Sequence, residues 1–182
     1  MSLLPRTQGI APIRTPGPEF LKRFRERVEA GLLLGRPHPR SNYVATGDGP
    51  TELHVRAADW WTAINVGLNE LDLDLSSAGV AQYRVRYWRW ALFVIGLATV
   101  LGLIGLLLLL TLDVRTYVVQ HPAQVFRRLS PDQNVLVAWA MVLFWGFLWP
   151  WLLILLHKGP LRRLVERLIK EVDTGAAPGT VR

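Results

Sequence analysis

WALFVIGLATVLGLIGLLLLLTL, Trp90–Leu112, decides the fold, because it holds no Asp, Glu, Lys or Arg. A second block of the same kind, VLVAWAMVLFWGFLWPWLLILL, occupies Val135–Leu156. At the rise of an α-helix each block reaches roughly 30 Å or a little more, enough to cross the hydrocarbon layer with some tilt. Uncharged apolar runs of this length are rarely soluble core helices. The expected fold is therefore an all-α integral membrane protein: a two-span helical hairpin with amphipathic flanking helices and an extended N-terminal arm. The expected divisions are an arm at 1–86 with helices near 19–34 and 57–73, a first span at 87–112, an external loop at 113–134, a second span at 135–157 and an amphipathic tail at 158–182.

The rest of the composition narrows the class. The net charge is +7 and there is no cysteine, so disulfides and thiolate metal sites are excluded. Much of the positive charge flanks the apolar blocks, where it sets topology and meets anionic lipids, and no nucleic-acid motif accompanies it. Arg84, Arg86 and Arg89 precede the first block; Lys158, Arg162, Arg163, Arg167 and Lys170 follow the second; Arg115, Arg127 and Arg128 lie between. Eight against three puts both termini in the cytoplasm. Residues 1–40 have no apolar core of signal-peptide length, and Glu19, Glu26 and Glu29 speak against a mitochondrial transit peptide. The expected location is a bacterial inner membrane, with the mitochondrial inner membrane as the alternative.

Outward from the spans, residues 1–18 are proline-rich and read as an arm without a core. Phe20, Phe24, Val28 and Leu32 then recur every four residues among charged positions, a basic amphipathic helix for a small soluble core or for a membrane surface. Residues 36–56 read as a loop. Trp60, Trp61, Ile64, Leu68 and Leu71 mark the second amphipathic helix; of these Trp60 and Trp61, with Tyr87, Trp88, Trp90, Arg84, Arg86 and Arg89, form the expected membrane-interface set. In the first span Ala98, Gly102 and Gly105 make a small-residue face for close helix packing. In the second, Trp145, Trp149 and Trp151 form an aromatic surface, and Pro150 should weaken or kink the helix near Gly146. Ser130 ahead of Pro131 suits a helix cap. The tail, started by Pro160, presents Leu161, Leu164, Leu168, Ile169 and Val172 on one bare apolar face, which must lie on a membrane or on protein.

Chemistry is sparse. His38, His54, His121 and His157 sit at no metal spacing, no charged residue lies in either span, and no phosphate-loop, zinc-protease or nucleophile-elbow motif occurs. No catalytic residue, metal ligand or cofactor is expected. Arg36-x-x-x-Arg40 followed by Asp74-x-Ser76-x-x-Gly79 resembles the signature of the PilZ family, which binds cyclic-di-GMP. The resemblance implies arginine forks on phosphate and guanine edges. It covers only these positions, and the first span begins about where that family's barrel would continue.

These features point to a non-catalytic accessory subunit of a multisubunit inner-membrane complex, with larger membrane subunits and anionic lipids as partners and no nucleic acid. The alternative is a regulatory partner of a membrane glycosyltransferase, responsive to cyclic-di-GMP. A small homo-oligomeric pore fits less well, because the spans lack polar residues. The topology has a direct test: reporter fusions at Arg182 and near Gln124 should give opposite signals, and a periplasmic Arg182 would overturn the assignment.

Overall fold

A computed structural model describes residues 4–30, 42–47, 49–121, 126 and 129–175. The chain divides into two compact units, Met1–Ala91 with Leu156–Arg182, and Leu92–Leu155.

The first unit is built on strands. β1 (Arg6–Pro12), β2 (Tyr43–Thr46), β3 (Glu52–Ala57), β4 (Glu70–Asp74) and β5 (Val80–Arg86) form one antiparallel sheet in the order β1-β5-β4-β3-β2. The all-α expectation is corrected by this sheet. The proline-rich arm supplies β1, the expected loop at 36–56 supplies β2 and β3, and the helix expected at 57–73 is a short α2 (Trp60–Val66) followed by β4. The cause is periodicity: Leu53, Val55 and Ala57, then Leu71, Leu73 and Leu75, then Ala81, Tyr83 and Val85 alternate with polar residues and are all buried. Alternation of period two puts every second side chain on one face.

That single apolar face is covered by two helices. α1 (Gly17–Glu29) buries Phe20, Leu21, Phe24 and Val28, and it packs beside β2 and β3. The other cover is the end of the last helix, α6 (Trp149–Thr174), where Leu161, Val165, Leu168, Ile169 and Val172 are buried. Both are tied to the sheet and to each other. The Tyr83 hydroxyl donates to Glu166 at 2.9 Å, and the backbone N–H groups of Arg14 and Thr15 donate to Asp173 at 2.8 Å. Arg27 of α1 pairs with the buried Glu171 at 3.5 Å. Gly9 has no side chain where Tyr83 crosses β1; a Cβ there would overlap the phenol. Burial, with the Glu166 carboxylate beside it, pushes the Tyr83 phenol up to about 12. Arg162 holds the Glu166 carboxyl below its usual range, so its contacts are present above that range and lost as the pH falls through the lowered value.

The second unit is helical. α3 (Trp88–Thr111) carries the first apolar block; α4 (Val114–Gln120) lies in the connection; α5 (Pro131–Leu143), a π turn (Phe144–Leu148) and α6 carry the second. Ser130 and Gln133 form a reciprocal capping box on α5. Pro150 cannot donate to the carbonyl four residues back; the helix widens here, and the Trp149 N–H donates to the Phe144 carbonyl instead. Pro160, expected to start a separate tail helix, lies inside α6. Both long helices are apolar enough to cross a membrane, and only 6% and 17% of their most apolar stretches are buried. A core helix of a soluble protein would be mostly covered.

Docking of the tail onto the sheet should depend on packing rather than charge. Leu168, 1% exposed, truncated in Leu168→Ala should cost about 2–5 kcal/mol. Arg167→Ala on the exposed side should change stability by less than about 0.5 kcal/mol. Urea unfolding with limited proteolysis of the detergent-solubilised chain measures both; equal effects would mean that the tail is held electrostatically.

Candidate functional site

Among the described residues, nothing covers the second face of the sheet. Because the strands alternate, the residues between the core positions all point there, and the register lines them up in rows. One row runs Gln8, Arg84, Asp72, His54, Thr46; the next runs Arg6, Arg86, Glu70, Arg56, Val44; a third runs Ile10, Gln82, Asp74, Glu52. Opposite charges stand directly across from each other at Arg84–Asp72, Arg86–Glu70 and Arg56–Glu70, an arrangement that stabilises a sheet surface, whereas Arg6–Arg86 and Glu52–Asp74 set like charges opposite. Arg86 donates to Glu70 at 2.9 Å and to Asp72 at 3.4 Å, and Asp72 also holds the Nδ1 of His54. A groove of about 780 Å³ follows this face, with Gln8, Ile10, His54, Asp74, Gln82 and Arg84 among its lining. The His54–Asp72 dyad could orient a proton donor or acceptor, but the three rows bring no hydroxyl nucleophile beside it except Thr46, whose hydroxyl donates to the His54 carbonyl at 3.4 Å. Chemically the face is a hydrogen-bonding and charge-pairing surface.

A second assembly in the first unit surrounds α2. α2 is capped by Asp59, whose carboxylate accepts from the Thr62 N–H and hydroxyl at 2.7 and 2.9 Å and is held below its usual range mainly by that backbone bond. Gly67 ends α2 with φ +73°, a conformation suited to glycine. The Gly67 carbonyl accepts from His157 Nε2 at 3.2 Å. His157 stacks on Trp90 at 3.9 Å between ring centroids, with Tyr87 edge-on at 5.3 Å. At the other end of α2, Trp60 meets Trp88 edge-on at 6.2 Å, and the Arg89 guanidinium lies 5.7 Å from one ring and 5.3 Å from the other. Trp60 is 44% and Trp61 69% exposed. The expected interface set is thus divided. Trp60, Trp61, Trp88 and Arg89 cluster on the surface, Trp90 and the buried Tyr87 pack around His157, and Arg84 and Arg86 stand on the open face of β5.

Within the second unit, Gly102 and Gly146 meet. A Cβ on Gly102 would stand 2.8 Å from the Gly146 Cα, and one on Gly105 would stand 3.1 Å from Val142. Trp145 and Trp149 lie 4.8 Å apart beside this crossing, in a groove of about 470 Å³ that also takes Leu97, Ala98 and Leu101. Trp151 is exposed. Sequence reasoning found the small residues of the first span but missed Gly146, whose signal was its place one turn before Pro150.

The tail residues Leu161, Leu168, Ile169 and Val172 are buried against the protein itself, with Leu164 half-buried. Of the residues behind the PilZ resemblance, Arg36 and Arg40 lie outside the described residues. Asp74, Ser76 and Gly79 make the β4–β5 turn: Asp74 accepts from the Ser76 N–H at 2.8 Å, and Gly79 has φ +72°. Aspartate, serine and glycine are what such a turn uses for its own geometry. No protein-family model, curated protein or solved structure matches the chain.

The glycine crossing gives a contrast within one helix. Gly102→Leu should reduce several-fold the yield of protease-resistant chain in mild detergent, whereas Gly96→Leu, where a Cβ meets nothing within 4 Å, should leave it unchanged. Equal yields would mean that the crossing is not close.

Proposed function

We propose that the chain is a non-catalytic accessory subunit of a larger membrane complex, in which a two-span hairpin holds an α/β module at the membrane surface. The observation that carries this reading is the open sheet face, a polar surface with a groove along it and, among the described residues, no layer over it. Antiparallel sheets can face water on one side, so openness alone would mean little. Here the open face also carries Ile10, 65% exposed, beside Gln8 and Gln82. An apolar contact ringed by hydrogen-bonding groups is the composition of a protein interface. The apolar helices, uncovered by protein, support the bilayer as their surroundings. Packing of the C-terminal helix against the N-terminal sheet supports termini on one side, and the flanking charge favours the cytoplasmic side of an inner membrane in this reading.

The experiment is native electrophoresis from gently solubilised membranes at native expression. The wild-type chain should run in an assembly heavier than one 20.6 kDa chain in its micelle. Ile10→Glu with Arg84→Glu, both on the open face, should release it as a lone, inserted and folded chain. A wild-type chain recovered alone would refute the reading.

A further inference from the structure

The exposed tryptophans of α2 are the largest departure of the first unit from ordinary surface chemistry. Trp60 and Trp61 stand in solvent while Thr62, Ala63 and Ile64 behind them are buried. Two features fix where this helix lies. At its start, Trp60 packs on Trp88 and under Arg89, the first two residues of α3, just ahead of the uncharged block that opens at Trp90. At its end, Gly67 is bonded to His157, the residue that follows the second uncharged block at Leu156. One short helix thus touches the beginning of one apolar stretch and the end of the other. Two points at the same boundary define a line along that boundary, so α2 runs along the level where both stretches leave the hydrocarbon.

That level has its own chemistry. Indole rings are favoured there because they are half apolar and half polar. Arg89 makes no ion pair among the described residues, and the nearest acid along α2, Asp59, is committed to Thr62. A guanidinium held between two indoles, with no carboxylate, lacks a counterion; a phosphate diester at headgroup level supplies one, and the guanidinium fork suits phosphate oxygens. We infer that α2 is an interfacial anchor that seats the first unit on a phospholipid bilayer, with Trp60 and Trp61 in the headgroup layer and Arg89 on a lipid phosphate. The inference rests on the reading of the two apolar helices as membrane spans.

The absence of cysteine makes the test clean, since one introduced thiol takes the only spin label. Asn65 is exposed and one turn from Trp61, so Asn65→Cys reports on the same side of α2 without removing either tryptophan. Leu103→Cys reports on the first span, and Ala78→Cys, in the β4–β5 turn, on water. The full chain is reconstituted into phosphatidylcholine vesicles containing phosphatidylglycerol, and the accessibility of each label to a water-soluble paramagnetic relaxant is measured. The label at 65 should be several-fold less accessible than that at 78, and Arg89→Gln should raise it toward the value at 78. Equal accessibility at 65 and 78, with 103 shielded, overturns the anchor and leaves the spans standing. A water-exposed label at 103 overturns both. No change on Arg89→Gln overturns the phosphate contact.

Discussion

The structure depends on one constraint: a five-stranded sheet with a single apolar face must find two helices to cover it. α1 is close by in sequence, but it is too short to cover five strands alone. The second cover arrives from the far end of the chain, after two apolar helices, and it brings Leu161, Val165, Leu168, Ile169 and Val172 onto the same core as Phe20 and Phe24. A bare apolar helix in water and a half-covered sheet are both unstable, and each relieves the other. The consequence is topological. The unit is not complete until Leu161–Asp173 are made, and its contacts, such as Thr15 to Asp173, join residues 158 positions apart. Such long-range closure is entropically costly and slow.

The parts legible in sequence are those with long, uniform signals. Trp90–Leu112 and Val135–Leu156 need no context, because the absence of charge over that length has few other solutions. The Ser130 cap and the disturbance at Pro150 follow from local backbone chemistry, which tertiary structure rarely overrules. The strands were missed for a physical reason. Trp60, Trp61, Ile64, Leu68 and Leu71 satisfy a helical spacing by coincidence, while Leu71, Leu73 and Leu75 in "LDLDL" state a strict alternation that ends the helix at Gly67. β1 is hidden in the sequence because its alternation runs through small residues, Gly9 and Ala11, of which Gly9 leaves room for Tyr83. The amphipathic tail was recognised, but its partner could not be, since nothing in a helical stripe says whether lipid or a distant sheet will cover it.

The same reasoning separates the two uses of glycine. At Gly67 and Gly79 the backbone needs a left-handed turn, and the cause is local. At Gly102 and Gly146 the φ angles are ordinary, and the residue is needed because two helices approach until no Cβ fits. The π turn lies across this crossing: it contains Gly146 and ends just before Trp149 and Pro150. Proline removes one backbone bond, the helix widens to recover another, and the aromatic residues Phe144, Trp145 and Trp149 meet edge-on or tilted about the widened turn. A sequence reading can see the proline, but not that the next helix sits against the residue it disturbs.

The distribution of charge bears on what the open face can recognise. Its strand residues carry Arg6, Arg56, Arg84 and Arg86 against Glu52, Glu70, Asp72 and Asp74, four of each sign. The chain as a whole has 21 basic and 14 acidic residues, so the entire excess of +7 lies elsewhere. A face of balanced charge exerts little long-range pull on a polyanion, and its ion pairs, Arg86 with Glu70 and Asp72, are part-exposed and weaken with salt. It selects by register: a partner must present groups that replace or extend pairs such as Arg86–Glu70 without leaving one buried alone, because an orphaned charge is far costlier than a lost contact. Specificity of that kind depends on the geometry of the groups presented to the face rather than on its net charge.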